Sequence, residues 1–278
     1  MTAKSEWPEV RTITLDDLND VIVAGIEDFR AAPMFGLAIG AVYAVGGWLI
    51  VLALWDLGLP FLAYPMAMGF ALVAPVAAGA FYAVSDLRER GEPLSWRRVF
   101  AAMRQASGRD LVWMALVTCF ALVLWLEIAA VLTFAFGGIN TFDTDYLSKL
   151  FDSPAGLAFL ALGNIVGAVI AFAVFAISVV SFPMLYDRDT DFVTAMVTSV
   201  RLVERNPVSM LAWCIFIGII IGLSVMSAFL GLLVLLPIIG HSTWHLYRRA
   251  VGPAKTVVPA APREPAESTA VSTRLAKG

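Results

Sequence analysis

Charge is scarce in this chain: only 15 % of its 278 residues are Asp, Glu, Lys or Arg, against about 25 % in an average soluble domain. With 60 % hydrophobic residues and a mean hydropathy of +0.82, this excludes an ordinary soluble domain. Cysteine and histidine are rarer still, at two residues each. Cys119 and Cys214 both lie in apolar runs, so a disulfide framework is excluded by count, and no paired Cys/His spacing marks a metal site. A net charge of −3 and the lack of a basic patch with interleaved aromatics give no reason to expect a nucleic-acid partner. A glycine-rich phosphate loop, a nucleophile elbow and paired catalytic carboxylates are also missing. No catalytic residue, metal or cofactor is therefore assigned. The first 32 residues are polar and lack the apolar core of a signal peptide, so the first apolar run is read as a permanent span.

What the chain does have is long apolar runs. They reach 20 residues and more, not the alternating segments of about 10 that mark a barrel strand. The reading is an all-α polytopic membrane protein, with six transmembrane helices as three hairpins, each preceded by a cytoplasmic amphipathic helix. The spans are placed at about 33–54, 61–84, 111–136, 154–182, 207–227 and 229–248. The six-span domain covers 14–250, between a disordered N-terminus at 1–13 and a disordered cytoplasmic tail at 251–278. Within the sixth span, Pro237 is expected to loosen the helix.

The three preceding helices follow from periodicity and caps. Thr14 and Asp17 resemble a capping box opening a helix with Leu15, Leu18, Ile22, Ile26 and Phe29 on one face and Asp16, Asp17, Asp20, Glu27 and Asp28 around the rest. Ser95 caps a second, with Trp96, Val99, Phe100 and Met103 apolar and Arg97, Arg98 and Arg104 elsewhere. Its arginines suit anionic lipid better than the acidic first helix does. A third carries Phe192, Met196, Val200 and Val203. The helix-to-span joints align as a weak internal repeat: Phe29-Arg-Ala-Ala-Pro33 resembles Glu204-Arg-Asn-Pro207, with Ser107-Gly-Arg-Asp110 between them.

Orientation follows from the basic residues. Six spans put eighteen of the nineteen Lys and Arg on the side of the termini and only Lys149 on the other, so both termini are expected in the cytoplasm.

Few residues stand out as sites. Glu127 is the one ionisable group well inside a span, nine residues before the end of span three. Asn164 lies ten residues into span four, which runs the other way, so both sit about 14–15 Å from the same boundary. An intramembrane Glu127–Asn164 hydrogen bond is expected, with a proton or ion relay and a partner-facing Glu as the alternatives. His241 and His245, four apart, share a helix face. They are read as interfacial histidines bonded to the polar connectors, with metal or haem ligation as the other reading. Trp244 and Arg248 are spaced for a cation–π contact. His241, His245 and Arg248 are expected to meet Asp86 and Asp187 in one cytoplasmic polar cluster. Gly36/Gly40, Gly163/Gly167 and Gly218/Gly222 are candidates for close helix packing.

The segment 240–248, Gly-His-Ser-Thr-Trp-His-Leu-Tyr-Arg, together with the preceding spans and the Arg205-Asn-Pro207 joint, resembles an uncharacterised family of bacterial integral membrane proteins with a domain of unknown function. The resemblance covers about residues 15–250 and implies the bacterial inner membrane. Some members carry a cytochrome c oxidase subunit I label. That chemistry does not transfer, because haem–copper sites draw histidines from several helices and this chain has two, on one helix. The functional expectation is a scaffold, assembly or regulatory factor in contact with membrane lipid, associated with another membrane complex such as a respiratory one. The alternative is a small-molecule, ion or lipid transporter using Glu127. Oligomeric state is left open.

Overall fold

The computed structural model describes residues 8–106, 108–136 and 150–252. The described residues form an all-helical protein, and four of its helical segments are long and apolar enough to cross a membrane: Pro33–Asp56, Arg109–Phe136, Pro154–Asp187 and Pro207–Met226. The expected tail from 253, the loop at 137–149 with Lys149, and residues 1–7 lie outside the described residues.

Helix α1 (Leu15–Ala31) opens with a capping box in which the Thr14 side chain accepts from the Asp17 amide and the Asp17 carboxylate accepts from the Thr14 amide. It ends at Ala32, and Pro33 starts α2 (Pro33–Asp56) at a position where a missing amide hydrogen costs nothing. The joint between α9 (Phe192–Arg205) and α10 (Pro207–Met226) has the same form. Ala32 has φ −136° and ψ 51°, and Asn206 has φ −130° and ψ 52°, each followed by proline. The corresponding point before α6 (Arg109–Phe136) has no proline.

Three expected spans are interrupted, the sixth span between Leu233 and Leu235. The segment expected at 61–84 is α3 (Ala63–Ala77) followed by α4 (Gly79–Glu89), with a break at Ala78. The segment expected at 154–182 is α7 (Pro154–Ser178) followed by α8 (Ser181–Asp187), broken at Val179 and Val180. Helix α5 (Trp96–Ala106) lies between α4 and α6 and buries Val99. After α10, Ala228 and Phe229 take positive φ values of 51° and 67° in the turn. A 3-10 turn at Leu230–Leu233 then leads to α11 (Leu235–Val251). Pro237 does not loosen α11. It is the third residue of the helix, where its absent donor has no intrahelical partner to lose.

Helix α11 is the centre of the bundle. His241, Ser242, Trp244, Leu246, Tyr247 and Ala250 are fully buried, and α1, α2, α4, α8 and α10 pack around it. Glycine sets the closest approach: a methyl on Gly25 of α1 would sit 2.7 Å from the Ser242 amide nitrogen and 2.9 Å from the Ile238 carbonyl oxygen. Two further corrections follow. The buried face of α1 is Leu18, Val21, Gly25 and Asp28, while Leu15 is 56 % exposed. The face is thus rotated from the one read by counting large apolar residues, because the contact is centred on a small one. Residues 10–13, expected within a disordered segment, are held in place. Val10 and Ile13 are buried, the Ile13 amide donates to Asn206 Oδ1 at 2.7 Å, and the Ser209 hydroxyl donates to the Ile13 carbonyl at 2.7 Å.

The long helices expose apolar side chains along much of their length. On α6 the exposed stripe is Val112, Leu116, Phe120, Val123, Val131 and Phe134. A water-soluble monomer does not leave such continuous surface uncovered, and lipid is its natural solvent.

Candidate functional site

Charge concentrates where α1, α4, α8 and the last turns of α11 meet. The innermost group is Asp28, 6 % exposed. It accepts from the Ser85 hydroxyl at 2.6 Å and from Arg88 Nε at 2.8 Å, and pairs with His245 Nε2 at 2.8 Å. Burial alone would raise its carboxyl. The bonds from His245, Ser85 and Arg88 outweigh that and bring it from 3.8 down to about 2.

Ser85 Oγ also lies 2.8 Å from His241 Nδ1. The single hydroxyl proton goes to Asp28, so Nδ1 must donate to Ser85 and His241 is the Nδ1–H tautomer. Its Nε2 then carries only a lone pair, and this atom is buried without a partner. The Phe81 ring stands edge-on to the imidazole, with centroids 5.5 Å apart.

A second group forms one turn further along α11. Arg248 bonds Glu89 at 2.7 Å and Asp187 at 3.4 Å, and its guanidinium lies 5.4 Å from the centre of the Trp244 ring. The Tyr247 hydroxyl donates to Asp187 at 2.5 Å and accepts from Arg188 Nε at 2.8 Å. Arg249 turns to α1, meeting Asp17 at 3.0 Å and Asp20 at 2.9 Å. Asp86 pairs with Arg90 at 2.7 Å. Its burial raises the carboxyl, and Arg90 only partly offsets this.

The expected cluster residues therefore divide. Arg248 and Asp187 are brought together. Neither histidine meets Asp86 or Asp187; their carboxylate is Asp28, directly for His245 and through Ser85 for His241. Asp28 escaped sequence reading because it was counted on the polar face of α1. The signal that could have found it is the spacing Leu18, Val21, Gly25, Asp28 around an in-helix glycine. The two histidines have different partners, and among the described residues no group of three or more His, Cys, Asp or Glu could hold a metal.

Glu127 and Asn164 are not brought together. Asn164 donates to the Leu160 carbonyl at 2.8 Å and accepts from the Tyr64 hydroxyl at 3.2 Å. Glu127 is exposed, in the middle of the apolar stripe of α6. Beside the charged layer, a cavity of about 410 Å3 is lined by Asp86, Arg90, Asp110, Tyr186, Asp187 and Arg188, among others. Glu127 is not part of its wall.

Residues 63–187 match the model of a family described as "Predicted integral membrane protein (DUF2189)". The matched part runs from α3 to the end of α8. It contributes Ser85, Asp86, Arg88, Glu89 and Asp187 to the charged layer, while Asp28 and the α11 residues lie outside it. No match was found among curated proteins, and none among solved structures.

Proposed function

We propose that this integral membrane protein is a non-catalytic scaffold or assembly factor of the bacterial inner membrane. On this reading it crosses the bilayer six times, keeps both termini in the cytoplasm and engages another membrane complex in the plane of the bilayer. The observation that carries the proposal is Glu127. A carboxylate at hydrocarbon depth is costly unless it meets a donor, and this one faces outward between Val123 and Val131, which are 55 % and 64 % exposed. A helix of another protein, bearing a basic or amide side chain at that depth, satisfies it. The charged layer supports a structural role for the polar residues, since its histidines and its arginines other than Arg90 are consumed in cross-links between α1, α4, α8 and α11. The matching backbone at Ala32 and Asn206 supports the internal repeat. The oxidase label of the resembling family makes a respiratory complex the first partner to look for.

The transporter reading has less behind it, because Glu127 points away from the bundle and from the charged cavity. The test places a photo-crosslinking residue at Val131 in native membranes. A defined adduct with another membrane protein, lost in Glu127→Leu, is the expected result. Adducts with lipid alone, unchanged by that substitution, would overturn the proposal.

A further inference from the structure

The arginines of the charged layer and those of α5 differ in one respect. Arg88, Arg90, Arg188, Arg248 and Arg249 all meet carboxylates. On α5, Arg98 meets Glu92 at 3.1 Å, but Arg97 and Arg104 are exposed and form no ion pair among the described residues. They are seven apart, two helical turns, and so lie on one flank.

Beside that flank, Trp96 and Phe100 are 40 % and 55 % exposed. Their rings stack with centroids 5.9 Å apart, and Trp96 rests on Phe35 at 4.4 Å. Phe35 belongs to the first turn of α2, one of the helices able to cross the membrane, and Met34 beside it is 71 % exposed. The exposed rings of α5 are thus continuous with the boundary of a span, at the level where aromatic side chains and head groups mix.

We propose that α5 is a binding surface for anionic phospholipid, with Arg97 and Arg104 on the lipid phosphates and Trp96 and Phe100 among the glycerol and upper acyl carbons. A neutral head group would accommodate the rings but leave both guanidinium charges uncompensated. A soluble acidic partner would satisfy the charges but not the rings that adjoin the span. The inference is independent of the scaffold reading and needs only α2 as a span.

The test titrates fluorescent phosphatidylglycerol into the detergent-solubilised full chain. The double variant Arg97→Gln/Arg104→Gln weakens binding on the order of tenfold. Arg98→Gln, whose side chain already has a carboxylate, leaves it unchanged, and Arg97→Lys/Arg104→Lys retains most of it. Added salt weakens wild-type binding, while inorganic phosphate at the same ionic strength competes no better than chloride. The substituted side chains are exposed, so melting temperatures stay at the wild-type value and loss of folding does not mimic loss of binding. Equal affinity in the double variant, equal binding of phosphatidylcholine, or full displacement by inorganic phosphate would each overturn the proposal.

Discussion

Asp28 holds together three groups that water would otherwise have to satisfy: His245, Ser85 and Arg88. Replacing it with Asn puts an amide donor against donors. The expected loss is about 3 kcal/mol, the low end for breaking a buried charged pair, because Arg88 and His245 still reach solvent. Thermal unfolding of Asp28→Asn in detergent measures it. The pH dependence has a fixed sign. The folded carboxyl sits at about 2 and the unfolded one near 3.8, so its contribution is complete above the unfolded value and drains away as pH falls between the two. Wild-type protein should lose stability across that window, and Asp28→Asn should show a flatter profile there. An unchanged acid limb in the variant would mean that another carboxylate governs it. Sequence reading found the α11 side of this site, because two histidines and an arginine at helical spacing stand out in an apolar run. It missed the α1 side, because one carboxylate among five in the same helix carries no mark of its own. Burial singled it out, and burial depends on how α1 is rotated against α11.

At the scale of helices, existence was far more legible than orientation. Apolar runs bounded by proline and charge located α2, α6, α7 and α10 well, and the Thr14 and Ser95 caps open their helices in the structure. Which face turns inward was not legible, for a physical reason. In water, a 3.6-residue period marks the buried face because the other face is polar. In α2 and α6 the outward face is as apolar as the inward one, so the period vanishes. Glycine was the remaining signal, and it sorts unevenly. Gly40 meets the Leu232 carbonyl oxygen and Gly167 meets Trp125, whereas Gly163, Gly218 and Gly222 have nothing within 4 Å of an added methyl. A paired substitution checks the sorting. Gly25→Ala forces a methyl against α11 backbone and should cost about 1–3 kcal/mol. Gly222→Ala should be neutral or raise stability by up to about 1 kcal/mol through helix propensity. Equal effects in thermal melts would show that α1 does not seat on Gly25.

For the whole molecule, the open quantity is the number of crossings. Four segments qualify individually by length and composition. The two others proposed here are broken elements whose parts run on from one another. Residues 63–89 cover about 40 Å at helical rise, and residues 230–251 cover about 34 Å with the 3-10 turn included, against a hydrocarbon core of about 30 Å. Single cysteines decide between four and six. In a Cys119→Ser/Cys214→Ser background, Asp56→Cys ends α2, Glu92→Cys follows α4, Asp152→Cys precedes α7 and Asp189→Cys follows α8. On the six-crossing reading, a membrane-impermeant maleimide labels positions 56 and 152 in intact cells. Positions 92 and 189 react only after permeabilisation, and Arg263→Cys in the tail behaves like position 92. If α3 and α4 do not cross, 56 and 92 react together. If α11 does not cross, 263 parts company with 189. Reversal of the whole pattern would leave the crossings intact and overturn the cytoplasmic placement of the termini. The charged layer of α1, α4, α8 and α11 would then face away from the cytoplasm, and the eighteen basic residues would have to be explained by something other than the inside-positive bias of membrane insertion.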